Sequence, residues 1–299
     1  MSRTTADINF LANKNPHYRD AHIYFDEGPH KYTIQGINGI TAETEFTSVT
    51  TLVHNQYDRF DAKKMIAIMM QNKKKWNDPI ANIKYYGKTA DEIEKMWSKS
   101  GEEAAAKGTE MHHRIECFYN TTTPDTATPD TTTPDTPEFT YFKNFHQDFV
   151  ACENPTLIPY RTEWTVFHEE ARIAGSIDMV YELRSVNDSD DPTPTPTLVI
   201  YDWKRCREIT KTNPLFKFAV HPAIEHIPDS NYWHYALQLN IYKYILQTKY
   251  DKTVTDLYLV VLHPEAQNYQ RIKLPNLQSE VAELFEERIR NFAQAKEAK

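Results

Sequence analysis

In the centre of the chain, over residues 161–166 and 172–181, apolar and polar side chains alternate with a period of two. Thr162, Trp164 and Val166 alternate with Arg161, Glu163 and Thr165, and Ile173, Gly175, Ile177, Met179 and Tyr181 alternate with Arg172, Ala174, Ser176, Asp178 and Val180. A third extended run covers 198 to 205. Period two is the signature of strands with one face buried, and three such runs joined by polar turns predict an antiparallel meander. Helical spacing surrounds it. From about residue 100 to 119, Ala104, Gly108, Met111, His112, Ile115 and Tyr119 fall on one stripe, the face expected to pack on the core. Thr89 to Glu92 and Ser100 to Glu103 both read as capping boxes, the second opening this helix. Residues 232 to 248 are apolar nearly all round and predict a buried helix, 257 to 263 and 269 to 274 two further strands, and 277 to 298 a terminal helix. Residues 22 to 35 predict a hairpin and 48 to 76 a helical lobe. The fold class expected is α/β, or α+β: a central mixed β-sheet flanked by helices, with an N-terminal hairpin and helical lobe over 1–100 and the core over 101–299.

Composition narrows the function classes. With 299 residues, 40% hydrophobic and 25% charged, the chain can bury a sizeable core and is not disordered throughout. Only 7 residues are glycine, against a usual share of roughly 7%, and no G-x-G-x-x-G occurs. Gly87-Lys88-Thr89 ends like a phosphate loop, but Asn82 stands where its first glycine belongs. A nucleotide cofactor held on a glycine-rich loop is therefore not expected. The 3 cysteines, Cys117, Cys152 and Cys206, form neither a disulfide framework nor a C-x-x-C pair and suit a reducing compartment. The first fifteen residues read as neither signal nor transit peptide, and no run reaches the roughly 18 apolar residues of a membrane span. The expectation is a soluble, intracellular protein of the cytoplasm or nucleus, with no membrane partner.

The net charge of −8 argues at first against a phosphate-rich partner. Its distribution reverses that. Two low-complexity tracts, 120–137 and 186–197, hold six aspartates, seven prolines and no basic residue. Such tracts predict solvated loops, so most of the net acidity lies outside the folded core. Residues 62 to 88 carry seven lysines against the single acid Asp78. Lys73, Lys74, Lys75 and Lys84 there are interleaved with Trp76 and Tyr85, which suits charge plus base stacking on a single strand, or equally a solvated helix face.

The chemistry-bearing residues lie in the centre. Asp202 and Lys204 share a face of a strand that opens with Leu198, Val199 and Ile200, and an acid and a lysine on a core strand are costly to bury unless paired or used. Asp178 sits on the preceding strand, beside Asp202 in a meander. Two adjacent carboxylates repel unless a cation lies between them, and a divalent metal with oxygen ligands resolves the conflict. His112 falls on the buried stripe with Gly108, whose missing side chain would permit close helix packing. Glu116 follows one turn on, as a ligand, an outer partner or an ion-pair partner for Lys204. Gln238 and Tyr242 are i and i+4 on an otherwise apolar helix, placed to meet phosphate oxygens or a metal site's surroundings, or simply each other. Glu163 lies in the strand before Asp178, and its alternation does not decide between site and surface. Ser48 and Thr50 at a helix start would cap the helix or meet a terminal phosphate.

In order, Gly108-Thr109-x-x-His112, Gly175-Ser176-Ile177-Asp178, Asp202-Trp203-Lys204 and Gln238-x-x-x-Tyr242 resemble the motifs of the PD-(D/E)XK nuclease superfamily. The resemblance is closest to the branch of RecB-type nuclease domains, phage lambda exonuclease, the mitochondrial genome maintenance exonuclease and related proteins of large DNA viruses. It covers roughly residues 108 to 274, and Thr47-Ser48-Val49-Thr50 fits a serine-threonine segment of such exonucleases. It implies a restriction-endonuclease-like core and a Mg2+- or Mn2+-dependent deoxyribonuclease, an exonuclease of replication, recombination or repair. His112, Asp178, Asp202 and the backbone carbonyl of Trp203 would hold the metal. Lys204 would act on the attacking water or the developing charge, Gln238 and Tyr242 would orient the strand, and Glu116 and Glu163 would stand behind. Ser48, Thr50, Lys73, Lys74, Lys75, Trp76, Lys84 and Tyr85 would meet DNA. Relatives with an iron-sulfur cluster carry one cysteine upstream and three downstream of the core; with none after Cys206, no such cluster is expected here. An RNA endonuclease of the same superfamily and a catalytically silent DNA-binding module are the alternatives.

Overall fold

The computed structural model describes residues 9–41, 43–120, 134–184 and 196–297. In chain order the helices are α1 (Phe10–Lys14), α2 (Val49–His54), α3 (Ala62–Gln71), α4 (Lys73–Trp76), α5 (Ala90–Asn120), α6 (Pro137–Phe149), α7 (Asn231–Lys249) and α8 (Gln278–Glu297). The strands are β1 (Ile23–Asp26), β2 (Lys31–Ile34), β3 (Thr47–Ser48), β4 (Leu157–His168), β5 (Ile173–Leu183), β6 (Thr197–Lys204), β7 (Thr253–Val261) and β8 (Gln270–Lys273). β1 and β2 form the expected N-terminal hairpin. The others make a central mixed sheet of six strands flanked by helices. The chain divides into two compact units, 1–57 with 111–299, and 58–110. α5 begins in the smaller unit and ends in the larger.

The meander is present: β4 pairs antiparallel with β5 and β5 antiparallel with β6. Because β4 runs along one edge of β5, both β3 and β6 must share the other. β3 takes its start, parallel at Ile173 and Ala174, and β6 takes its end, from Met179 opposite Tyr201 to Glu182 opposite Leu198. The sheet therefore forks along β5 between Ala174 and Met179. Beyond the fork β6 continues beside β7, parallel through Lys204 opposite Val261.

Alternation along β6 sorts the core. Leu198 and Ile200 join Leu237, Ile241 and Ile245 of α7 in one buried cluster. Val199, Tyr201 and Trp203 join Phe142 and Phe145 of α6 in another. α7 is buried along most of its length, as its all-round apolar sequence predicts. It lies close on the sheet at Gly175, where a Cβ would come within 2.8 Å of Tyr242 Cε1 and 2.9 Å of Val49 Cγ2.

Three expectations are corrected. Ser100 opens no helix: α5 is continuous from the Thr89 capping box, in which Thr89 Oγ1 accepts from the amide of Glu92 and the Glu92 carboxylate accepts from the amide of Thr89. Once that cap has nucleated the helix, Gly101 is merely tolerated within it. Gly108 makes no close approach, a Cβ there meeting nothing within 4 Å among the described residues. The end of the first acidic tract is structured, because Thr136 caps α6 and Asp135 pairs with Arg114 and Lys143. The tip of the second tract lies outside the described residues. None of the described helices is long and apolar enough to cross a membrane.

Gly175→Ala tests the contact that sets α7 on the sheet. Overpacking of this kind costs about 1–3 kcal/mol, so its urea midpoint should fall; an unchanged midpoint would show that Tyr242 and Val49 do not hold the position.

Candidate metal site

The fork leaves Asp178 just past the last β5–β6 pair, with its side chain standing in for the missing ladder bond. Asp178 Oδ2 accepts from the amide of Trp203 at 3.0 Å. Continuing the register past Met179 and Tyr201 sets Asp178 opposite Asp202, as the meander predicts. α5 brings in His112, whose Nε2 donates to the carbonyl oxygen of Trp203 at 2.8 Å. Its Nδ1 lies 3.6 Å from Asp178 Oδ2 and 3.7 Å from Glu163 Oε1. Two of the expected metal ligands, His112 and the Trp203 carbonyl, are thus bonded to each other.

Glu163, which alternation alone leaves undecided between site and surface, joins this group. It sits on β4 with a left-handed φ of 41°, a conformation that is strained for a side chain of this kind. Its Oε2 accepts from Ser176 Oγ at 2.9 Å, so the serine of the Gly-Ser-Ile-Asp motif orients this carboxylate. One ligand atom from each of His112, Glu163 and Asp178 lies within 4.8 Å of the other two. The signal was in the pairing: with Thr162 opposite Met179 and Trp164 opposite Ile177, Glu163 falls opposite Asp178.

Asp202 is 2% exposed. Its Oδ2 lies 2.7 Å from Lys204 Nζ yet receives no well-directed hydrogen bond. Burial, then the neighbouring Asp178, push its carboxyl up to about 7. Burial works against the charge on Lys204 too, but Asp202 and Asp178 outweigh it and hold the ammonium above its ordinary value. Lys204 Nζ also stands 4.8 Å from the centre of the Tyr235 ring. At His112 burial is again outweighed by Asp178 and Glu163, which raise the imidazole to about 9. Convergent ligand atoms from His112, Glu163 and Asp178, beside the buried Asp202 carboxylate, fit a small divalent cation with mixed oxygen and nitrogen ligands.

Glu116 does not pair with Lys204. It pairs with His113, 3.5 Å away. Burial and then Glu163 raise its carboxyl. Tyr242 is buried, hydrogen-bonded to Gln238, and held well above its usual value by burial. Its ring packs close over Gly175, while Gln238 lines a pocket with Lys204 and Thr50. Ser48 spends its hydroxyl on capping α2, accepting from the amide of Thr51 at 3.0 Å. Lys73, Lys74 and Lys75 are exposed on α4 in the smaller unit, with Trp76 half-buried. There Tyr85 accepts from Trp97 Nε1 at 2.9 Å, and both line a shallow cavity of about 530 Å3 with Lys84 and Lys99.

Searches against protein-family profiles and curated protein sequences found no match. Sixteen chains of solved structures match. One, described as "Crystal structure of SSO0001", shares 14% identity over 84% of this chain and 78% of its own, with a TM-score of 0.27. A likeness at that level carries no argument.

The raised His112 makes a signed prediction for the metal-free protein. A group whose folded value lies above its unfolded 6.5 contributes stability that is complete below about pH 6.5 and is lost as pH rises through about 9. In EDTA, the excess stability of the wild type over His112→Gln should be largest near pH 6 and shrink toward pH 9.5, read as urea midpoints. A gap independent of pH would contradict the charged imidazole.

Proposed function

We propose that this chain is a metal-dependent nuclease with a restriction-endonuclease-like core, hydrolysing DNA phosphodiester bonds as an exonuclease of the PD-(D/E)XK kind. The observation that supports it most is the convergence of His112, Glu163 and Asp178 beside the buried Asp202–Lys204 pair at the sheet fork. A structural salt bridge alone would explain Asp202 and Lys204. It would not by itself explain two further acids and a histidine converging on the same point, one acid on strained backbone, because like charges this close repel unless cations lie among them.

His112, Asp178 and Asp202, with Glu163 as a further donor, would hold a divalent ion, which would supply Lewis acidity toward the phosphate and lower the pKa of water. The chain's own residues do the rest. Lys204, kept protonated by Asp202 and Asp178, stabilises negative charge developing on the phosphate oxygens. Gln238 positions the strand from the wall beside Lys204. Ser176 holds Glu163 in place, and Trp203 fixes Asp178 through its amide. The exposed lysines of the smaller unit, with Tyr85 and Trp97, offer charge and stacking surface to a nucleic acid.

The test incubates end-labelled single- and double-stranded DNA and RNA with the protein in Mg2+, Mn2+ or EDTA. Metal-dependent shortening of DNA from one end is expected, with Lys204→Ala and Asp178→Asn each lowering kcat by about 100-fold or more. Activity in EDTA, or an undiminished Lys204→Ala, would overturn the reading. Cleavage of RNA alone would make it an RNA endonuclease, and binding without cleavage a silent module.

A further inference from the structure

At the turn between β4 and β5 two arginines come together with no acid between them. Arg172, the last residue of that turn, has a left-handed backbone with φ 51°, a conformation usually left to glycine or asparagine. Arg288 reaches the same turn from α8. Its Nε donates to the carbonyl oxygen of Ala171 and its Nη2 to Thr47 Oγ1, each at 2.6 Å. Both guanidinium groups stand over one ring, their central carbons 4.4 Å (Arg172) and 5.1 Å (Arg288) from the centre of Phe292. The nearby carboxylates are committed elsewhere: Glu169 and Glu170 of the turn to Arg19 and Lys249, and Glu286 and Glu287 of α8 to Arg290 and His221. Among the described residues neither Arg172 nor Arg288 forms an ion pair. Burial, then the charge of Arg172, lower the Arg288 guanidinium below its ordinary value. Both side chains remain half-exposed.

We propose that Arg172 and Arg288, with the Thr47 hydroxyl, hold an internal phosphodiester of a nucleic-acid strand at a point remote from the metal site. Like charges this close repel unless an anion lies among them, and guanidinium groups meet phosphate oxygens through paired, directed N–H groups. Arg288 commits Nε and Nη2 to the fold, which leaves Nη1 for the anion. Thr47 Oγ1 accepts from Arg288, which leaves its own O–H to donate. An arginine kept on left-handed backbone, where glycine would be less strained, points the same way: the side chain is what the position retains. The topology sets the distance. Because β5 runs antiparallel to β6, the start of β5 and Lys204 at the end of β6 face the same end of the sheet. Arg172 precedes Asp178 by six residues, about 20 Å along an extended strand. Stacked nucleotides rise about 3.4 Å each, so the contact falls no more than about six nucleotides from the metal site. It grips strand interior rather than a strand end.

That the phosphate belongs to a nucleic acid rests on the nuclease reading; the affinity of the pair for an oxyanion does not. The experiment uses the full chain in EDTA. Arginine side-chain NMR follows a sulfate titration, and fluorescence anisotropy follows a labelled single strand of about 20 nucleotides over a range of salt concentrations. Sulfate should shift the Arg172 and Arg288 resonances together. Arg172→Gln should weaken binding of the strand about tenfold and lower its salt slope by roughly 0.7, the share of one phosphate. Arg172→Lys should keep the slope. The urea midpoint of Arg172→Gln should stay level or rise, since one of two like charges is gone. Neutral methylphosphonate is then placed at one linkage at a time: in the wild type a single interior position should weaken binding, and Arg172→Gln should be indifferent to that position. Arginines unmoved by sulfate, or a scan in which only terminal linkages matter, would overturn the proposal. Sulfate binding with no effect of Arg172→Gln on the strand would make the occupant a free anion and overturn it too. In the Mg2+ cleavage assay Arg172→Gln should raise KM about tenfold and leave kcat unchanged. Strand binding that depends on Arg172 without cleavage would sustain the contact and remove the nuclease reading; cleavage indifferent to Arg172 would do the reverse.

Discussion

Two carboxylates face one another in the interior of this protein, and the surrounding structure is arranged to make that tolerable. Asp178 and Asp202 stand on adjacent strands at a fork in the sheet, Asp202 almost wholly buried. Unpaired, either charge would be driven to take up a proton. The partners come from different elements: Lys204 two residues along β6, His112 from α5, and the Trp203 amide, which bonds Asp178 where the strand ladder has ended. The fork is thus both cause and remedy. It frees the Asp178 carboxylate from β-sheet packing and exposes a backbone amide for it to accept from.

The same constraint reaches outward. Gly175 lacks a Cβ where Tyr242 and Val49 press against β5, which seats α7 and so carries Gln238 and His234 to the wall beside Lys204. Ser176, one residue on, fastens Glu163. A motif of four residues therefore serves three purposes: a close approach, the orientation of a second acid, and a buried carboxylate. On the nuclease reading, a cation would join a site whose five charged groups already nearly balance, so binding it would have to compete with Lys204 and with the proton on His112.

Much of this was legible in the sequence, and for identifiable reasons. Strict period-two patterning gave the β4–β6 meander, and with it the juxtaposition of Asp178 and Asp202. The all-round apolar run gave α7. Less legible were features set by tertiary packing. Glu163 shows the same alternation as surface residues on its strand, and only the register with β5 brings it to His112. Glu116 lies one turn from His112, yet on a face where His113 is the nearer partner. The Ser100 box has the right letters, but the cap at Thr89 had already started the helix. α6 was not anticipated, although Phe139, Phe142 and Phe145 recur at helical spacing just after the acidic tract. His54 and His234 lie 180 residues apart and meet only because α2 packs on α7, so nothing local announces the pocket they line.

The central claim is that the residues gathered at the sheet fork hold a divalent cation. Diffraction from crystals soaked in Mn2+, recorded at the manganese absorption edge, tests it most directly. The account predicts an anomalous peak among His112, Asp178 and Asp202, with Glu163 turned toward it, and loss of that peak in Asp178→Asn. A fork that stays free of manganese at saturating concentration, with His112 still bonded to the Trp203 carbonyl, would contradict it.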